Sequence, residues 1–187
     1  MHFSVGDFII DLVDNSLEAG ANLVEVEILE SNEEISVTLR DNGTGMDREL
    51  LSRIRDPYFT DGIKHPGRKV GLGIPFLIHA AEQCGGDFRI ESVPGKGTEV
   101  FFSFPADNID TPPVGDLAET FAGAVLKPTE YEAVLLHRVL DSSGERSYRI
   151  TRSELTDALG ELESVASQNL VRRYMASHEE EIQGKEK

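Results

Sequence analysis

The sequence has no tryptophan and only one cysteine, Cys84, among its 187 residues. A lone thiol can form neither an internal disulfide nor a cysteine-based metal cluster, so Cys84 is expected to be an ordinary reduced thiol. Basic residues are also scarce: 18 Lys and Arg stand against 34 Asp and Glu, a formal net charge of −16 spread over both halves of the chain. Such a surface repels phosphate backbones and anionic membranes, so neither nucleic acid nor a membrane is an expected partner. No apolar run approaches the roughly 20 residues of a membrane span, and Met1-His2-Phe3-Ser4 lacks the basic start of a signal peptide. A cytoplasmic location is therefore expected. What is present is a 39% share of hydrophobic residues, enough for a globular core.

Periodicity divides the first hundred residues into alternating elements. Phe8, Ile9, Leu12, Val13 and Leu17 recur at helical spacing, which predicts a helix from Val5 to Ala19 with Gly20 as its stop. The segments 23–29 and 35–39 alternate apolar with polar residues around the turn Ser31-Asn32-Glu33, the pattern of an antiparallel hairpin. A short helix is predicted near Asp47 to Ile54, then an irregular stretch from Asp56 to Val70 that is a candidate mobile loop. A second long helix is predicted from Leu72 to Gln83, with Pro75 tolerated in its first turn and Gly85-Gly86 ending it. Strands over 87–92 and 98–104 flank the turn Pro94-Gly95-Lys96-Gly97. The fold class implied is α+β, a sandwich with helices on one face of a mixed, mostly antiparallel sheet.

Residues 106–114, with Pro112-Pro113, have the composition of a linker. The sequence divides accordingly into a domain over 1–105, a small α+β appendage over 115–182 and a charged tail over 183–187. Within the appendage a helix is predicted near 116–126 and a hairpin through Asp141-Ser142-Ser143-Gly144. A further helix should start at the capping-box spacing Thr151-Arg152-Ser153-Glu154, and a last one should cover 166–180. Nothing in the appendage matches a catalytic motif, so docking to a protein partner or homodimerisation is its expected use.

Three segments have the makings of chemistry. Asp11 and Asn15 lie four apart on the first helix, so a carboxylate and a neutral oxygen donor share one face. Asp41-Asn42-Gly43-Thr44-Gly45-Met46 ends an apolar strand in an acid and follows it with two glycines that let the backbone approach closely. Val70-Gly71-Leu72-Gly73-Ile74 opens a helix, where free amides and the helix dipole attract phosphate.

Taken in order, these segments resemble the GHKL family of histidine-kinase-like ATPases, the Bergerat fold, over roughly Phe3 to Pro105. Asp11-Leu12-Val13-Asp14-Asn15-Ser16-Leu17-Glu18-Ala19-Gly20-Ala21 is similar to the N box, in wording closest to that of mismatch-repair MutL proteins. Asp41 to Met46 is similar to the first glycine box. Asp56-Pro57-Tyr58-Phe59-Thr60, Gly71-Leu72-Gly73-Ile74, Gly85-Gly86 and Pro94-Gly95-Lys96-Gly97-Thr98 resemble the second half of a sensor histidine kinase catalytic domain.

The resemblance implies ATP or ADP as ligand, with Mg²⁺ held by Asn15. It implies that Asp41 accepts from the adenine amino group with help from Thr98, that Gly43 and Gly45 let the base lie against the backbone, and that Met46 lines the pocket. Amides at Gly71, Leu72 and Gly73 would meet the phosphates, with Lys64, Arg68 and Lys69 on the loop that closes over the nucleotide in this family. Asp11 would be the catalytic acid–base residue.

Two positions depart from the pattern. MutL-like enzymes have glutamate where this chain has Asp11, and Lys69 stands where histidine kinases have a glycine. Only His2 precedes the N box, so autophosphorylation in cis is not expected. Three readings follow: a weak ATPase or ATP-driven switch acting on a protein partner, a protein kinase acting in trans like small anti-sigma-factor kinases, and a module that holds nucleotide without turnover.

Overall fold

The computed structural model describes residues 4–54 and 73–184. Helix α1 spans Val5–Glu18, followed by β1 (Leu23–Ser31), β2 (Glu34–Asp41) and the short α2 (Arg48–Arg53). After the interval come α3 (Gly73–Cys84), β3 (Phe88–Val93), β4 (Gly97–Pro105) and α4 (Leu117–Val125). The chain ends in β5 (Glu132–Asp141), β6 (Gly144–Thr151), α5 (Arg152–Leu159) and α6 (Val165–Ile182). The helices begin where side chains can cap them. Ser4 and Asp7 form a reciprocal capping box at α1, and Thr151 and Glu154 form another at α5.

The strands form one six-stranded sheet in the order β3-β4-β2-β1-β5-β6. All neighbours are antiparallel except β1 and β5, which run parallel. A parallel pair cannot be joined by a tight turn, and the chain makes the crossover from β4 to β5 through α4. The sequence reading set residues 115–182 apart. In the structure β5 and β6 extend the same sheet, and α4 and α6 bury Phe121, Val125, Val171 and Met175 in the same core as α1.

Alternation decides which face is covered. Val24, Val26 and Ile28 of β1, Val37 and Leu39 of β2, Phe102 and Phe104 of β4 and Leu135 of β5 are buried under the helices. Phe8 of α1 meets both strand phenylalanines, edge-on to Phe102 at 6.4 Å and stacked on Phe104 at 6.3 Å between ring centroids. The opposite face carries Arg40 paired with Glu99, Arg89 lying 4.2 Å over the Phe101 ring, and Arg138 between Glu27 and Glu145. Ion pairs of this exposed kind contribute little stability but keep that face wet.

The core also contains an ionisable group. His137 on β5 is fully buried and bonds Glu30 of β1 at 2.9 Å through Nε2 and Glu179 of α6 at 3.0 Å through Nδ1. Tyr148 donates to the same Glu179 oxygen. Burial alone would lower the pKa of this imidazole, but the bonds to Glu179 and Glu30 outweigh it and push it up to about 9.

Candidate functional site

Asp41 ends β2 beside the N-terminal half of β4, in register with Thr98. Both of its carboxylate oxygens are held. The Ser16 hydroxyl donates to Oδ2 at 2.9 Å, and the Gly43 amide donates to Oδ1 at 2.8 Å. Ser16 is a polar residue on the buried face of α1, so a hydroxyl placed among apolar neighbours aims at the carboxylate.

The segment after Asp41 is laced to its surroundings on both sides. Asn42 accepts from the amides of Asn22 and Leu23, and Thr44 donates from its amide to Ala19 O at the end of α1. On the other side Thr44 O accepts from the Gly95 amide at 2.7 Å, and the Met46 amide donates to Ser92 Oγ at 2.8 Å. Ser92 Oγ lies 2.9 Å from Thr98 Oγ1. Asp41, Gly43, Gly45, Met46, Ser92 and Thr98 therefore form one connected set. Two glycines are required by this closeness: at Gly45 (φ 65) a Cβ would stand 2.1 Å from Val93 O, and at Gly97 (φ 109) it would stand 1.9 Å from Asp41 O.

Asp11 and Asn15 are exposed on the same side of α1, one turn apart. The start of α3 lies against the first of them, since a Cβ on Gly73 would be 3.1 Å from Asp11 Oδ2. Lys64, Arg68, Lys69, Gly71 and Leu72, also singled out from the sequence, lie outside the described residues. Lys127, just beyond α4, reaches the same helix and pairs with Asp14 at 2.6 Å.

Sequence reasoning assigned no role to Ser16 or Ser92. The signal for Ser16 was available: it is a hydroxyl at i+4 from Leu12 and i+3 from Val13 on an otherwise apolar stripe. Ser92 carried no such signal: it follows Phe88 and Ile90 on the helix-covered face of β3, but at the end of a short edge strand, where a half-buried serine is unremarkable. A separate surface groove lined by Glu33, Glu34, Asp87 and Pro105 sits at the opposite end of the β2–β4 pair from Asp41, and its acidic lining repels phosphate. Among the described residues no cluster of three His, Cys, Asp or Glu side chains is arranged to hold a metal ion. No described helix is long and apolar enough to cross a membrane.

Asp41 and the segment after it thus lie between the N-terminal helix and the β3–β4 hairpin. Residues 5–108 match the model of the histidine kinase-, DNA gyrase B- and HSP90-like ATPase family. The chain belongs to this family. It carries an ATP-binding domain of the histidine kinase type, and the match ends just beyond β4.

Sporulation kinase A of Bacillus subtilis (strain 168) is 34% identical over 98 residues, covering 51% of this chain and 16% of that protein. The sensor histidine kinase AtsR of Burkholderia thailandensis (strain ATCC 700388 / DSM 13276 / CCUG 48851 / CIP 106301 / E264) is 27% identical over 158 residues, covering 80% of this chain and 25% of that protein. This ATPase-family chain thus spans about a quarter or less of the length of these relatives. A solved structure described as the N-terminal domain of a DNA repair protein superimposes with a TM-score of 0.50 at 15% identity, covering 79% of this chain and 51% of that one. At that identity the likeness concerns the fold alone, and its extent reaches beyond β4.

Proposed function

We propose that this chain binds ATP together with Mg²⁺ in the cleft bounded by α1, residues 41–46 and the β3–β4 hairpin. In this reading it works as a weak ATPase or ATP-driven switch on a protein partner. The observation that carries it is the Asp41 carboxylate, fixed by Ser16 and Gly43 and in register with Thr98. A charged acceptor held in place next to a hydroxyl suits an exocyclic amino group, which adenine offers and guanine replaces by a carbonyl at the same ring position. Asn15 is the proposed metal ligand. A single amide oxygen suits Mg²⁺, which keeps several waters and takes its other ligands from phosphates, and this agrees with the lack of a three-carboxylate or histidine cluster among the described residues. Bound ATP would supply the γ-phosphoryl group, with Asp11 beside the start of α3 to position or deprotonate the attacking nucleophile.

The relatives favour a second reading. Sporulation kinase A and AtsR are named as kinases, so transfer of the γ-phosphoryl group to a separate protein is the alternative fate of ATP at this site. Calorimetric titration with ATP, with Mg²⁺ and with excess chelator, tests the shared part of both readings. Tight binding that depends on Mg²⁺ in the wild type, and loses that dependence in Asn15→Ala, is the expected result. Unchanged Mg²⁺-dependent affinity in Asn15→Ala overturns the metal assignment. No heat with ATP under any condition overturns the nucleotide site itself.

A further inference from the structure

β6 has β5 on one side and, among the described residues, no strand on the other. An open edge of this kind presents unpaired amides and carbonyls that another strand can take up. Along it Tyr148 and Ile150 turn under the helices, where Tyr148 stacks on the His178 ring of α6 at 5.0 Å and Ile150 is buried. Glu145, Ser147 and Arg149 alternate with them and are exposed on the face away from the helices.

The charges on that face are self-complementary. Glu145 and Arg149 stand two residues either side of Ser147 with opposite sign. If two copies of β6 lie antiparallel about a twofold axis through Ser147, Glu145 of each copy falls opposite Arg149 of the other, and Ser147 falls opposite itself. Moving the axis to Arg146 or to Tyr148 loses both charge pairs. Within its own chain Arg149 makes no hydrogen bond or ion pair among the described residues, whereas Glu145 is already approached by Arg138 at 2.9 Å. The second copy's Arg149 would give Glu145 a second guanidinium and give Arg149, which within its own chain acts on Glu154 only through its charge, a directly paired carboxylate.

The helix layer carries a matching surface above the same edge. Arg172 of α6 pairs with Glu119, which fixes that flank of the helix towards α4. Leu170 and Tyr174 are each two residues away, about 200° around the helix, so they face outward beyond β6. They are 47% and 46% exposed, and Tyr174 lies edge-on to His178 at 4.5 Å, the ring that stacks on Tyr148 of β6.

We propose that β6 and the Leu170–Tyr174 flank of α6 form a twofold interface between two copies of this chain, joining their sheets edge to edge about Ser147. The contact is isologous, so it closes at a dimer and leaves β3, at the far edge, outside it. It also lies outside the nucleotide cleft, so it stands or falls separately from the proposed ATP site.

Sedimentation equilibrium of the full chain tests the interface. The wild type is expected to dimerise with increasing concentration, more weakly at high salt. Arg149→Glu and Glu145→Arg each set like charges opposite one another twice, and each should weaken self-association about tenfold or more. Mixing the two variant proteins should restore association, because every cross-strand pair in the mixed dimer again joins opposite charges. Arg149→Ala and Leu170→Ala, which remove no hydrogen bond or ion pair among the described residues, should weaken it by smaller factors. Wild-type protein that stays monomeric, a dimer indifferent to both charge reversals, or variants that fail to associate when mixed would each overturn the proposal.

Discussion

The hydroxyl of Ser16 donates to Asp41 Oδ2 at 2.9 Å and so couples the first helix to the end of the second strand. With the Gly43 amide on the other oxygen, the carboxylate cannot rotate without giving up a charge-assisted bond. If Asp41 reads adenine, Asp41→Asn should weaken ATP more than GTP, and Ser16→Ala should weaken ATP by about tenfold, the scale of one hydrogen bond to a charged group. Calorimetry with both nucleotides on both variants checks this. Equal losses for the two bases count against an adenine contact, and full ATP affinity in Ser16→Ala means the hydroxyl does not position the carboxylate.

The tight turn of the β3–β4 hairpin gives a contrast between two glycines two residues apart. Gly95 has φ 74 with open space around its missing Cβ, whereas Gly97 has φ 109 and a Cβ there would lie 1.9 Å from Asp41 O. Gly95→Ala should therefore cost about 1 kcal/mol of backbone strain, while Gly97→Ala adds a backbone collision and should cost about 3 kcal/mol or more and displace Asp41. Thermal melts and ATP affinity of the two variants decide it. Similar losses in both would mean the hairpin relaxes away from β2.

His137 gives the fold a dependence on alkaline pH. Its pKa is pushed up to about 9, from an ordinary value near 6.5, against the effect of burial and through the bonds to Glu179 and Glu30. Because the folded state binds this proton more tightly than the unfolded chain, the stabilisation is fully present below about pH 6.5 and is lost as pH rises through about 9. At most about 3 kcal/mol is involved. Urea unfolding at pH 6.5, 7.5 and 9 should show stability falling across that window, and His137→Gln should flatten the slope while lowering stability at pH 6.5. A flat profile in the wild type would place the imidazole elsewhere than between two charged carboxylates.

Much of this architecture was legible because it rests on local signals. The apolar spacing from Phe8 to Leu17, the alternation in β1 and β2 and the Thr151–Glu154 capping box each specify an element within a dozen residues. The pairing of β5 with β1 was not legible, since alternation says that a strand exists but not which strand it joins, and β5 follows β1 only after β2, β3, β4 and α4. One clue was present: Ala133-Val134-Leu135-Leu136 is a continuous apolar run, the pattern of an interior strand. At the candidate site the glycines and Asp41 stood out by type, because only they allow close backbone approach or carry charge at a strand end. Ser16 acts through its direction, which only the packing of α1 over β2 defines.

Asp11 is where the ATPase and switch readings separate. Its carboxylate lies beside the start of α3, where a Cβ on Gly73 would come within 3.1 Å of Oδ2, so the space around it on that side is already filled to contact. If Asp11 positions or deprotonates the attacking water, Asp11→Asn should leave ATP affinity intact and cut turnover by roughly a hundredfold or more, the usual scale for losing a general base. Asp11→Glu adds one methylene, as in the MutL-like enzymes, and should hold or raise the rate if reach limits the wild type. Gly73→Ala should act in the opposite sense, pressing a methyl against the carboxylate and slowing turnover with less effect on binding. Single-turnover hydrolysis with labelled ATP, read beside titration of the same proteins, separates binding from chemistry. Turnover in Asp11→Asn equal to wild type would remove Asp11 from the reaction. No turnover in any of the proteins, with ATP still bound, would leave transfer to a partner protein or nucleotide holding as the function of this site.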